Sequence, residues 1–370
     1  MKIKKLKVQN FKSLCQFDMR LKDFNVLIGR NNSGKSNILD CLSFISEVTE
    51  NPIDRVQAAR GGYDHVVYGG NIKEAVQIEV SLDAKPKEIK YSIFFDNSKI
   101  ILEQARDVSS GLVFLDRTAD GTTTLCNSKG ERTGHFGSGP TTSVLMQIAL
   151  DPQLRQSNPV LVELLDSVRE WRFYRLNPSN LRTSLDPRKQ YDIGKDGKFM
   201  PLVLHTLLSS NLPIFKEIER TLKAAVPEIE ELQSPLEADG TTHAAIREES
   251  FEKPFDHHQI SDGTLSILAN LLIAFTPSKA ELIGVEEPED YVHPKLLKFL
   301  VDVFKASGTQ VLMVSHSPYL LDVVEPENIL LIRKTHGKTT CKRPKAKELR
   351  KFIKELSLGE LWVSGELENA

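Results

Sequence analysis

The chain has 370 residues, 40% of them hydrophobic and 26% charged, and a net charge of −2. Such a composition describes a globular protein with a substantial core, sized for one large or two to three ordinary domains, and it gives no global pull toward nucleic acid, so any such binding needs a local patch. No apolar run approaches the ~20 residues of a membrane helix, the opening residues lack the apolar core of a signal peptide, and Cys15, Cys41, Cys126 and Cys341 lie far apart without metal-ligand spacing, which fits a reducing cytoplasm and argues against a disulfide frame or zinc site.

In chain order, residues 2–9 and 14–20 alternate like paired edge strands. Val26, Leu27 and Ile28 then read as a buried strand. The next eight residues are Gly29-Arg30-Asn31-Asn32-Ser33-Gly34-Lys35-Ser36, followed by Asn37 and a helical pattern with Ile38, Leu39, Cys41, Leu42, Phe44 and Ile45 on its apolar side. Two glycine pairs, Gly61-Gly62 and Gly69-Gly70, mark a loop-rich stretch. Residues 75–82, 89–96, 99–106, 111–117 and 122–126 read as short strands of an antiparallel sheet, and 134–142 as a loop. From about residue 151 the pattern turns helical. Val160, Leu161, Leu164, Leu165, Val168 and Trp171 share one face, as do Ile214, Phe215, Ile218, Leu222 and Val226. Residues 177–197 between them are polar and turn-rich. The acidic residues from Glu228 to Glu252 read as a solvated face. No heptads persist, so long coiled-coil arms are not expected. The last third alternates helix (264–275), strand (281–286), helix (294–306), strand (310–314), short helix (318–324), strand (329–333) and helix (346–356), which predicts a parallel sheet.

Strand, glycine-rich turn and helix is the setting of a phosphate-binding P-loop. Gly29 and Gly34 allow the backbone to turn its amides inward, around Asn31, Asn32 and Ser33, so that they and the helix start can hold phosphates. Lys35 is then expected to reach the β/γ-phosphates and Ser36 to ligate Mg²⁺. Downstream, Leu282-Ile283-Gly284-Val285-Glu286-Glu287-Pro288 is an apolar strand ending in two carboxylates. Glu286 is the candidate metal ligand and Glu287 the candidate general base. The next strand ends at Ser315-His316-Ser317, where His316 can hydrogen-bond the γ-phosphate or the attacking water. Ser261-Asp262-Gly263-Thr264 opens an apolar helix able to hold an anion. Alone it would be an ordinary helix cap.

The order of these motifs resembles the ABC-type ATPases, and more closely their RecF-like, SMC-like and OLD-type branch, often called AAA-family ATPases. Residues 7–14 look like that branch's first strand, 29–37 its P-loop, Ser261 to Thr264 its signature, and Glu286-Glu287-Pro288-Glu289 with His293-Pro294 its Walker B segment. Residues 358–362 resemble its usual tail. The likeness covers roughly 1–130 and 255–370. It implies an α/β fold, a P-loop NTPase of ABC-ATPase type with an attached antiparallel β-sheet and a helical insertion. The expected division is a nucleotide-binding lobe over 1–150, a mainly helical insertion over 151–245, and a second ATPase lobe over 246–370. ATP and Mg²⁺ are the implied ligands. Lys35, Ser36, Glu286, Glu287 and His316 would act in one subunit, while Ser261 and Gly263 would contact the γ-phosphate held by a second copy. Glu286 stands where Asp is commonest. The family's lid glutamine has two candidates, Gln77 and Gln147.

The resemblance implies a slow ATPase that dimerises on ATP, in the cytoplasm, and senses or acts on DNA or RNA. Only 54 residues follow His316, too few for an added nuclease domain of ~100 residues. A separate effector protein, as in anti-phage defence, would then supply the output. A DNA-repair role of the RecF kind is the alternative. A transporter subunit is disfavoured by Asp262, by the Asn10-Phe11-Lys12 opening and by the antiparallel sheet. Residues 333–354 carry ten Lys and Arg against Glu348 alone and suggest a hairpin followed by a basic helix, a patch that could track phosphates.

Overall fold

A computed structural model describes residues 1–276, 280–345 and 356–368. The chain divides into two compact units, Met1–Trp171 with Leu330–Arg343, and Arg172–Ile329 with Pro344–Ala370.

The first unit opens with β1 (Lys2–Phe11), β2 (Leu14–Arg20), β3 (Phe24–Ile28) and α1 (Lys35–Glu47), then the short helices α2 (Ile53–Ala58) and α3 (Tyr63–Val66). Strands β4 (Val76–Ala84), β5 (Lys87–Phe95), β6 (Ile100–Asp107), β7 (Val113–Arg117), β8 (Thr122–Cys126) and β9 (Arg132–Gly137) follow. Eight of these strands make an antiparallel sheet in the order β2-β1-β4-β5-β6-β7-β8-β9. Strand β1 is therefore interior, flanked by β2 and β4, and only β2 takes the edge position expected for both. Strand β9 lies largely where a loop was expected. Gly134 and Gly137 hide its pattern, but pairing from Thr122↔Gly137 to Thr124↔His135 completes a ladder.

Helices α4 (Val144–Leu150), α5 (Pro152–Ser157) and α6 (Pro159–Arg169) close the continuous part of this unit. The unit boundary falls after residue 171 rather than 150, because α6 packs on α1 and α4. Its Arg169 Nη2 also donates to Thr49 O at 2.6 Å. The hairpin β15 (Ile329–Thr335) and β16 (Lys338–Lys342) returns to this unit, with β3, β15 and β16 side by side in that order. The expected turn sits at His336 and Gly337, both with positive φ.

The second unit holds β10 (Trp171–Arg175), α7 (Pro178–Leu181), α8 (Met200–Ser210) and α9 (Leu212–Ala225), then β11 (Ile229–Gln233) and β12 (Ala245–Glu248), which pair antiparallel. So the segment expected to be mainly helical contains strands as well. Next come α10 (Asp262–Phe275), β13 (Leu282–Glu286), α11 (Leu297–Ala306), β14 (Gln310–Ser315) and α12 (Pro318–Leu321). Helix α10 is buried continuously from Leu265 to Ile273, as its nearly all-apolar sequence requires. Strands β13 and β14 pair in parallel, from Leu282↔Gln310 to Glu286↔Val314. Parallel register brings both carboxyl ends to one place, where ligands of open α/β sheets bind. The expected helix over 346–356 lies outside the described residues save its last residue, Leu356. Among the described residues, no helix is long and apolar enough to cross a membrane.

Candidate functional site

The phosphate loop is built on β3, every residue of which is buried, and on α1. Gly34 caps α1 at φ 98° without any side-chain cap, which leaves the first-turn amides to a ligand. Space forbids a larger residue there. A Cβ on Gly34 would stand 2.1 Å from Thr339 Oγ1, and one on Gly29 would stand 2.4 Å from Ile332 O. Asn32 also has positive φ, at 64°. Lys35 is buried, and its Nζ donates to Gly29 O at 2.6 Å and Arg30 O at 3.1 Å. The lysine thus folds back on the loop's own carbonyls. Asn31 and Ser36 are exposed. Among the described residues, the buried Ser33 Oγ has no hydrogen-bond partner. These features fit ATP: a cradle that a Cβ would fill, uncapped amides and a lysine at the loop.

Residues distant in sequence brace this loop. Thr339 Oγ1 donates to Ser33 O at 2.9 Å, and it shares a 2.7 Å hydrogen bond with Ser13 Oγ. Asn37 Nδ2 donates to the same Ser13 hydroxyl at 2.7 Å. Lys334 Nζ donates to Asn32 Oδ1 at 3.3 Å. Asn37 is therefore a loop-bracing residue in this structure. Of the two lid candidates, Gln77 lines an outward cavity of 280 Å³ with Ser92, Phe94, Leu102 and Gln104. Gln147 accepts from Ser138 Oγ at 3.2 Å.

In the second unit, a cluster of carboxylates with a histidine sits at the ends of β13 and β14. Glu286 closes β13, with Arg175 Nε 4.0 Å from its Oε2. Glu287 follows with φ 47°, and its amide donates to Val314 O at 2.8 Å. This left-handed backbone turns its side chain toward His316, whose Nδ1 lies 2.7 Å from Glu287 Oε2. The His316 amide also donates to that oxygen, at 3.3 Å. Glu289 joins them. One ligand-type atom each from Glu287, Glu289 and His316 lie within 4.8 Å of one another. Ser315 Oγ donates to Glu289 Oε1, while among the described residues Oε2 of that buried carboxyl has no hydrogen-bond donor.

Burial pushes the Glu289 carboxyl up to about 8; the Ser315 hydrogen bond opposes the rise and the Glu287 charge adds to it. A carboxyl that holds its proton more tightly when folded stabilises the fold fully at low pH, below the ordinary value of 4.5. That contribution fades as pH rises toward and through about 8. Glu289→Gln should therefore flatten the pH dependence of unfolding across this window, measured by thermal melts. An unaltered slope would contradict the assignment.

The signature residues head α10. Ser261 is the N-cap, accepting from Thr264 N at 3.1 Å. Gly263 permits close approach, since a Cβ there would stand 2.8 Å from Tyr291 O. One turn on, Ser266 Oγ donates to Asp290 O at 3.1 Å, and Asn270 Nδ2 to Pro288 O at 3.3 Å. The face of α10 that carries Gly263 thus binds the loop leaving Glu287. Sequence reasoning assigned no role to Glu289, Ser13, Thr339 or Arg182. Arg182 Nη2 donates to Asp262 Oδ1 at 2.7 Å.

Comparison with known proteins gives a family and a fold. The family described as "AAA domain, putative AbiEii toxin, Type IV TA system" matches residues 24–322. The solved SMC head bound to the C-terminal winged-helix domain of ScpA is similar in fold, with TM-score 0.59 and 12% identity over 95% of this chain and 100% of that one. The Smc head with an extended coiled coil, bound to the C-terminal domain of ScpA and derived from Pyrococcus furiosus, gives 0.54 and 12% over 96% and 99%. No curated protein matches the chain.

Proposed function

The chain belongs to this AAA-domain family and has the ABC-type ATPase fold of the RecF/SMC-like branch, and on that premise we propose that it binds and hydrolyses ATP and pairs with a second copy of itself when ATP is bound. The observation that carries the hydrolytic reading is the oriented carboxylate of Glu287, held by His316 at 2.7 Å at the end of a buried strand. Glu287 takes a proton from water as the water oxygen bonds to the γ-phosphorus. The bond from that phosphorus to the leaving ADP oxygen breaks, and ADP and phosphate result. Lys35 and the amides of residues 31–36 neutralise the phosphates. Ser36 and Glu286 would hold Mg²⁺, which screens phosphate charge when bound.

His316 has a conditional role. When Nδ1–H is donated to Glu287, the neutral ring keeps only an acceptor at Nε2. It can then receive a hydrogen bond from water, but it can grip an anionic phosphate oxygen only as imidazolium.

Pairing follows from the signature, whose Ser261 and Gly263 are proposed to take the γ-phosphate bound by the other copy. ATP then acts by its differential affinity for the paired state. Sedimentation of the Glu287→Gln protein with Mg·ATP should show a dimer that the nucleotide-free protein lacks. A size that ignores ATP would refute the gating.

A slow cytoplasmic ATPase that works with a separate effector in anti-phage defence is the biological setting we favour. The ScpA-bound SMC heads support partner docking by this fold only as an analogy. Nucleic acid is a further proposed ligand, through the exposed Lys334, Lys338, Lys342 and Lys345 on and after the β15–β16 hairpin. Arg343 is engaged elsewhere, donating to Arg20 O and Asn25 Oδ1 at 3.1 and 3.0 Å. Changing Lys338 and Lys342 to Glu should weaken DNA or RNA binding at moderate salt and lower its salt slope by about 2. Unchanged affinity would remove this patch from the reading.

A further inference from the structure

Ser261 and Gly263 can offer a phosphate one hydroxyl and backbone amides, yet the residue between them is an aspartate. At the first position of α10 a carboxylate suits the positive end of the helix. It also opposes a second anion at the same place. Its side chain is 43% exposed, so the opposition is not hidden by burial.

Arg182 answers this charge. Its Nε and Nη2 donate to Asp262 Oδ1 at 3.2 and 2.7 Å. Its Nη1 donates to His257 O at 2.6 Å and His258 O at 3.0 Å, and Nη2 donates to Ile260 O at 2.6 Å. A guanidinium has five N–H donors in a fixed fork, and all of them end on residues 257–262. None is left for a phosphate, so Arg182 cannot act as an arginine finger while this arrangement holds. The fork is itself well anchored. It follows α7, whose Leu181 is fully buried and which packs on α10.

We propose that Arg182 is a positioning residue for ATP held by a second copy of the chain. It fixes the turn before α10 and neutralises Asp262, so that Ser261 and Gly263 can accept the γ-phosphate. This rests on the reading that the signature acts across the pair.

The test uses the full chain carrying Glu287→Gln, so that ATP persists, and reads dimerisation by sedimentation with Mg·ATP. Adding Arg182→Ala should weaken pairing by about tenfold or more, since it strands a carboxylate facing the incoming anion. Nucleotide affinity of the dilute monomer should stay unchanged. Adding Asp262→Asn to Arg182→Ala should restore part of the loss, because the uncompensated charge is gone. Arg182→Lys should not restore it, because an ammonium cannot span the fork. Tight pairing in Arg182→Ala, or no recovery in the double variant, would overturn the proposal.

Hydrogen exchange over residues 257–264 supplies a readout independent of pairing. Arg182→Ala must speed exchange there more than Asp262→Asn does. Equal exchange overturns the positioning role, even if the parent protein fails to pair on ATP and the underlying reading falls by itself.

Discussion

Glu287→Gln is expected to keep ATP binding while slowing hydrolysis by about 10²–10⁴-fold. The amide oxygen can still accept from His316 Nδ1, and the chain can still bond Glu287 N to Val314 O, so the local geometry survives. What disappears is the capacity to take a proton. Phosphate release under multiple turnover, compared with retained nucleotide on the isolated protein, measures both quantities. Near-normal turnover would remove Glu287 from the role of base. His316→Ala should cost less, because it removes the group that orients the carboxylate and leaves the carboxylate itself.

Lys35→Ala is expected to lower nucleotide affinity by roughly tenfold to a hundredfold, the value of a lost charged hydrogen bond to phosphate. It has a second effect in the empty protein. Lys35 Nζ holds the carbonyls of Gly29 and Arg30 at 2.6 and 3.1 Å, so its loss leaves the loop short of donors. A stability drop of about 1 kcal/mol should accompany the binding defect. Titration with a non-hydrolysable analogue, together with melts of the nucleotide-free protein, separates the two. Wild-type affinity in a folded Lys35→Ala protein would refute the phosphate assignment.

The parts of the site that the sequence announced are those fixed by short spacing. Gly29, Gly34, Lys35 and Ser36 lie within one turn of chain, so the loop chemistry is local. Glu286 and Glu287 end an apolar run, and His316 ends the next one, so a parallel register suffices to bring two of the three together. Ser13 and Thr339 could not be foreseen, because 326 residues separate hydroxyls that share one hydrogen bond. Arg182 was hidden for a similar reason, with its acceptors 75 to 80 positions away in a polar stretch that reads as a turn. Glu289 was visible but unassigned. Only burial, which sequence alone does not report, distinguishes its neutral tendency from the charge of its neighbours. Strand β9 escaped because an exposed edge strand with two glycines carries no alternation to read.

The backbone at Glu287 has an evolutionary consequence. Its φ of 47° is one that glycine adopts freely and that costs another residue about 1–2 kcal/mol. Glu287→Gly would relieve that cost while deleting the carboxylate. Stability and turnover therefore pull against each other at this position. In a lineage freed from the need to hydrolyse ATP, only the contact to His316 and the entropy of a glycine would stand against relief of that backbone cost at residue 287. Descendants with glycine there would keep the P-loop and the signature and persist as ATP-binding scaffolds.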